Sequence, residues 1–161
     1  MRPVVFPYKT YRGIPCPIVS VGLQGPLGWI HVEAYVDSGA FLSIFSVQEA
    51  AGLGVDYRKG KPVLITVGDG RTIPVYTHRL PLQLGSTRFP ATIGFSPGLG
   101  VGFNLLGRQD IFTHFDITFS DATRCMVFRP VARHHAFHPP AARGHRLSAH
   151  ARRIRSTLRK A

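Results

Sequence analysis

Up to residue 130, apolar and polar positions alternate in short runs of period two, separated by glycine, proline and small polar residues. That pattern predicts strands joined by tight turns. Ile18, Val19, Val21 and Leu23 form a first strand, Gln24-Gly25-Pro26-Leu27-Gly28 turns the chain, and Trp29 to Val36 returns beside it. Val63-Leu64-Ile65-Thr66-Val67, rich in β-branched residues, is followed by a Gly68-Asp69-Gly70 turn and a return over Thr72 to Tyr76. Leu80, Leu82 and Leu84 alternate, Gly85-Ser86-Thr87 turns, and Phe89 to Phe95 forms the next strand. Phe115, Ile117 and Phe119 alternate with Asp116 and Thr118, a turn follows over residues 120–123, and Cys125 to Phe128 closes the sheet. Helical signals are few. Ser46 is placed to cap a short helix ending near Leu53, with Glu49 completing a capping-box pattern and Gly52 or Gly54 stopping it. Asp110 to His114 suits a single helical turn. The expected fold is all-β in the broad sense: mainly strands, one or two short helices, no internal repeat.

At 161 residues the chain is sized for one domain with an extension. Its composition shifts twice. Residues 1–13, part of a stretch to Pro17 rich in proline, basic and aromatic residues, read as an extended surface segment; residues 14–130 hold the strands; Pro130 ends the domain. Residues 131–161 hold His134, His135, His138, Pro139 and Pro140, then alanine and arginine. Leu147, Ile154 and Leu158 could share one face of a basic helix, but three large apolar residues do not stabilise a helix alone, so disorder or partial helix is expected there.

The formal charge of +12 is concentrated in that tail. It carries Arg133, Arg143, Arg146, Arg152, Arg153, Arg155, Arg159 and Lys160 with no acid, and so suits nucleic acid or an anionic surface as a partner. No run is long enough to span a membrane. Arg2, Pro3, Pro7 and Lys9 interrupt the start, which reads against a secretory signal. Two cysteines, Cys16 and Cys125, are too few for a disulfide framework; reduced thiols and a cytoplasmic location are the expectation, with a single bridge left open.

The candidate chemistry begins at Asp37-Ser38-Gly39-Ala40. The apolar strand ending at Val36 delivers one carboxylate into this turn, and Phe41, Leu42, Ile44 and Phe45 follow at once. A carboxylate bracketed by residues that seek burial must be hydrogen-bonded or neutralised. Taken alone, the tetrapeptide reads first as an ordinary turn. Paired with Asn104-Leu105-Leu106-Gly107-Arg108 further on, it resembles the retropepsin-type aspartic proteases, the single-domain relatives of pepsin. In that family an Asp-Thr/Ser-Gly-Ala/Ser loop carries the catalytic acid, and a later apolar-apolar-Gly segment, often followed by Arg, packs behind the loop and leads into a helix. The resemblance covers residues 14 to 130. It departs at Ser38, where threonine is commoner, and in the basic tail.

The resemblance implies an aspartic endopeptidase with Asp37 as the catalytic residue and Ser38, Gly39 and Ala40 as its loop. Leu105, Leu106 and Gly107 would support that loop from behind, and Arg108 would tie a dimer through an ion pair. The Gly68-Asp69-Gly70 hairpin stands, in order, where the family has the flap that closes over a bound polypeptide; a purely structural hairpin is the other reading. Hydrolysis by carboxylates needs two of them sharing a proton. This chain supplies one Asp-Ser-Gly motif, while Asp69, Asp110, Asp116 and Asp121 stand at turn or surface positions. The second Asp37 would come from a second copy in a homodimer. No metal or organic cofactor is called for.

Other chemistries fit less well. The His134-His135 and His138 cluster has metal-ligand residue types in a solvated tail. Gly98-Leu99-Gly100-Val101-Gly102 lacks the lysine and following helix of a phosphate loop, and no nucleophile-elbow pattern is present. The competing function keeps the fold and dimer as a non-catalytic peptide-binding or assembly module whose tail holds nucleic acid or an anionic surface.

Overall fold

The alternating runs become strands in the computed structural model, which describes residues 2–100 and 102–131. In chain order these are β1 (Val4–Pro7), β2 (Lys9–Tyr11), β3 (Ile14–Cys16), β4 (Ile18–Gly25), β5 (Gly28–Val36) and β6 (Ser43–Ser46). Helix α1 (Val47–Leu53) and one 3-10 turn (Tyr57–Lys59) come next. Then follow β7 (Lys61–Thr66), β8 (Thr72–Leu84), β9 (Thr87–Ser96), β10 (Asn104–Leu106), β11 (Phe115–Ser120) and β12 (Cys125–Pro130). Seven strands form one sheet in the order β4-β5-β10-β6-β9-β8-β7, and a further β4–β8 pairing curls it towards closure. The tail beyond residue 131, with its histidines and its candidate basic helix, lies outside the described residues.

Two departures from the sequence pattern have clear physical causes. The first thirteen residues are not a segment apart. Strand β1 is the edge of a three-stranded sheet with β12 and β11, and Val4 stands opposite Phe128. Phe6 packs edge-on against Phe128, and the Tyr8 hydroxyl donates to Asp121 at 2.9 Å. Burial, and then that carboxylate, push the Tyr8 phenol up to about 12. The alternation Val4/Phe6/Tyr8 was short enough to be hidden by its prolines. The second departure is β8, one continuous strand where two alternations stood. Ile73 and Val75 are buried at its start and Leu82 and Leu84 at its end, so with its pairing unbroken the strand buries opposite faces at its two ends. The two faces meet different apolar clusters. Ile73 and Val75 join a small cluster with Leu42 and Ile44, whereas Leu82 and Leu84 belong to the main core with Phe45, Phe95, Phe115 and Phe128.

The helix forms where expected, but its cap is built differently. Ser46 is the N-cap in extended conformation, yet its side chain makes no capping bond. Its backbone N–H donates instead to Oδ1 of the buried Asn104 at 3.0 Å, and the Asn104 amide donates to Glu49 at 3.2 Å. A side chain remote in sequence thus replaces the local reciprocal pair. Gly54, at φ 71°, ends the helix in the left-handed region that glycine favours.

Past β10, the single helical turn expected over Asp110 to His114 forms around a left-handed residue. Phe112 and Phe115 N–H groups donate to Arg108 and Ile111 carbonyls, but Asp110, at φ 64°, breaks the right-handed run. Asp110 compensates by clamping this turn to the β8–β9 hairpin. Its carboxylate accepts from the Thr92 N–H at 2.8 Å and pairs with Arg79. Desolvation is the largest single influence on this carboxyl and raises its pKa, but the Thr92 bonds and the Arg79 guanidinium together hold it below the ordinary carboxylate value.

Strand β10 is the wedge of the fold. It runs parallel to β5, with Leu106 opposite Val36, and antiparallel to β6 through Leu105 and Ile44. Gly107 follows it, and a Cβ there would stand 2.6 Å from the backbone carbon and oxygen of Leu42. Backbone on both sides leaves no room to relax.

Two substitutions test these contacts. Gly107→Ala should lower stability by about 2–3 kcal/mol, the range of overpacking where neighbours cannot move, measured by urea unfolding. Asp110→Asn keeps the left-handed preference but removes the charge. Because the folded-state pKa of Asp110 is depressed, its contribution is full above the unfolded carboxylate range and is lost as pH falls through the folded value. The variant should be less stable by about 1 kcal/mol near neutrality, a modest figure because Arg79 is half-exposed, and the gap should close in acid. A gap that persists unchanged in acid would assign the loss to shape and not to charge.

Candidate active site

Asp37 sits at the end of β5, where the strand's ladder continues one residue further: its N–H donates to the Leu106 carbonyl at 3.0 Å. The loop then folds back on its own acid. Oδ1 of Asp37 accepts from the Gly39 N–H at 2.8 Å and the Ala40 N–H at 3.2 Å. Its second oxygen takes no hydrogen bond among the described residues. The carboxylate is therefore fixed by one oxygen and presents the other, the arrangement a proton-transfer group requires.

The loop is gripped from behind by backbone. Arg108 N–H donates to the Ala40 carbonyl at 2.9 Å, Gln109 N–H to the Phe41 carbonyl at 2.8 Å, and Gly107 N–H to the buried Ser43 hydroxyl at 3.0 Å. Leu106 is fully buried in the core, whereas Leu105, alternating with it on β10, faces the cleft. Ser38 and the Arg108 side chain are exposed. Among the described residues the Ser38 hydroxyl makes no hydrogen bond and the Arg108 guanidinium no ion pair.

Asp37, Gly39 and Ala40 line a cleft of about 770 Å³. Its floor is the small apolar cluster of Leu42 and Ile44, extended by Ile65, Val67 and Leu99. The tip of the β7–β8 hairpin overhangs it: Gly68 and Asp69 line the same cleft, and Gly70, at φ 83°, makes the turn possible. Val67 and Arg71 close that turn, the Val67 N–H donating to the Arg71 carbonyl at 2.8 Å. The candidate flap and the candidate acid, far apart in sequence, thus face one space.

Several lining residues carried no recognisable signal in the sequence. Tyr35 and Phe103 stack at 5.0 Å between centroids to form one wall, and Tyr11 packs edge-on behind Phe103. Burial, followed by the nearby Cys16, Asp37 and Asp121, raises the pKa of the Tyr35 phenol. Gly98, Leu99 and Gly100 form the jaw opposite the hairpin tip, so the glycine-rich run is part of the cleft. Arg71 could have been found: a cation directly after a Gly-Asp-Gly turn is where a hairpin tip carries function.

The other acids do not join Asp37. Asp110 is held by Thr92 and Arg79, Asp121 accepts from Tyr8, and Asp116 is exposed on β11. Asp69 alone shares the cleft, but both its oxygens are engaged by Arg71, one by the N–H at 2.9 Å and one by Nε at 2.6 Å. The backbone bond first, then the side chain, hold its carboxyl below the usual range. No group of three potential metal ligands occurs among the described residues. Cys16 and Cys125 are free thiols, both half-buried. No helix among the described residues is long and apolar enough to cross a membrane.

No protein-family model and no curated protein sequence matches the chain. Solved structures do. A retropepsin-like aspartic protease from Rickettsia conorii superposes with a TM-score of 0.57 at 16% identity, over 79% of this chain and 98% of that one. EIAV protease bound to an inhibitor is also similar, with a TM-score of 0.45 at 16% identity, over 62% of this chain and 88% of that one. Identity at this level speaks to architecture. A mainly β chain with a β5-end acid, a wedge strand behind it and an overhanging hairpin therefore has the retropepsin-like fold of aspartic proteases.

Proposed function

We propose that the protein is an aspartic endopeptidase that hydrolyses polypeptides with two Asp37 carboxylates, one from each subunit of a homodimer. The observation that carries this reading is the state of Asp37: one oxygen pinned by two loop amides, the other presented to a cleft of substrate size. The two amide bonds hold the loop, and they leave the second oxygen with no structural partner among the described residues. A single carboxylate cannot act as base on water and acid on the carbonyl at once, and Asp69 is committed to Arg71. The second acid is a second Asp37.

The face around Asp37 supports pairing. Phe41 is 64% exposed beside Ser38 and Arg108, an apolar ring flanked by a hydroxyl and a cation that find no partner within the described residues. In a dimer Ser38 would brace the two loops across the dyad, and Arg108 would meet a carboxylate of the second copy. In the reaction, the ionised carboxylate takes a proton from water as its oxygen attacks the carbonyl carbon. The protonated one gives its proton to the carbonyl oxygen. As the tetrahedral intermediate collapses, the first carboxyl gives its proton to the departing amine nitrogen and the C–N bond breaks. The second takes a proton from one intermediate hydroxyl, restoring one shared proton. The wedge of β10 keeps both loops rigid, and the β7–β8 hairpin tip would close over an extended substrate.

Digestion of a denatured protein mixture by wild type and Asp37→Asn tests this directly. The substitution keeps shape and removes proton transfer, so cleavage should fall at least about a thousandfold, taking the upper range for a proton-transfer group. The fold and a dimer detected by sedimentation should persist. Wild-type activity should peak at acidic to near-neutral pH, falling in alkali as the shared proton leaves and in strong acid as both carboxyls protonate. Undiminished cleavage by folded Asp37→Asn, or cleavage by a strict monomer, contradicts the reading.

A further inference from the structure

Arg71 is the one basic residue lining the cleft among the described residues. Asp69 holds it from one side only, engaging its backbone N–H with one oxygen and its Nε with the other. The terminal nitrogens of the guanidinium are left over, with no protein acceptor among the described residues. They lie beside the glycine-rich segment of the lining: Nη2 stands 3.4 Å from where a Cβ on Gly100 would be, an ordinary contact distance. The lining below is apolar, made of Ile44, Ile65, Val67, Leu99 and Leu105. The cleft therefore combines a greasy floor with one oriented, half-satisfied cation whose free edge is the fork that matches a carboxylate.

We propose that Arg71 is a specificity-determining residue whose free guanidinium edge forms a carboxylate-binding subsite, selecting polypeptides that carry Asp or Glu at a fixed distance from the bond cut. This rests on the proteolytic reading above. A cationic side chain is disfavoured because it would meet the like charge of the Arg71 guanidinium. Asp69 acts as a positioning residue: by fixing Nε it orients the two terminal nitrogens away from itself. The subsite stays partly open to water, Arg71 being 72% exposed, so the selectivity it confers is moderate.

The test is a set of paired peptides differing only by Glu against Gln at each position around a cleavable apolar core, scored by kcat/KM with the full chain. Wild type should favour Glu over Gln by about tenfold at one position, and Arg71→Gln should bring that ratio near one. Arg71→Glu should turn it towards Lys. The ratio is read within each variant, so a general loosening of the hairpin tip cannot mimic the effect. A Glu preference unaltered in Arg71→Gln, no Glu preference in an active wild type, or a wild-type preference for Lys overturns the proposal. If wild type cuts none of the peptides, the protease reading fails separately. The subsite is then judged by fluorescence anisotropy of the same labelled peptides on wild type and Arg71→Gln: a Glu-over-Gln affinity ratio lost in the variant supports it, and equal affinities refute it.

Discussion

Everything that could act in this protein depends on three residues of strand entering between two others. Asn104 to Leu106 lie parallel to β5 and antiparallel to β6, the strands on either side of the Asp37 loop. The loop's two ends are therefore hydrogen-bonded to the same short segment: Asp37 to Leu106 on one side, Ala40 and Phe41 to Arg108 and Gln109 on the other. Backbone bonds of this kind cannot be replaced by a change of rotamer, and the glycine at 107 lets the two backbones meet without side chains between them. A loop so held presents its carboxylate in one geometry, which is what preorganised proton transfer requires. Asn104 extends the same wedge to the helix, joining the β5 backbone, the Ser46 N–H and Glu49 in one buried site.

The wedge also divides the interior. On one side lies the main core, from Val19 to Phe128. On the other, Leu42, Ile44, Ile73 and Val75 make a satellite cluster roofed by the hairpin and by Leu99. The cleft opens over this satellite, so its floor is apolar for reasons of folding before any of substrate. Parts of a protein with few buried neighbours open at the least free-energy cost. Gly98 and Gly100 lie beside Ile73 and Arg71, so the glycine-rich segment and the hairpin border this satellite and not the main core.

Much of this was legible before the fold. Period-two alternation located the strands because one face of each is buried, and the two motifs at Asp37 and Leu105 marked the loop and the segment gripping it. What escaped was long-range or out of phase. The Asn104 cap could not be read locally, because Ser46 and Glu49 already formed a plausible pair by themselves. The change of buried face along β8 made one strand look like two, and prolines masked the pairing of β1 with β12. The turn expected over Asp110 to His114 formed, but the left-handed Asp110 within it and that residue's bonds to Thr92 and Arg79 had no local signal. Tyr35, Phe103 and the glycine jaw entered the cleft through tertiary packing alone.

The central claim is that one site needs two copies of Asp37. Mixing wild type with Asp37→Asn at constant total protein, after subunits have exchanged, measures that requirement directly. If each site takes an acid from both chains, activity falls as the square of the wild-type fraction, because every mixed dimer is dead. Activity that falls only in proportion to the wild-type fraction would mean that a single chain completes its own site, and would contradict the account.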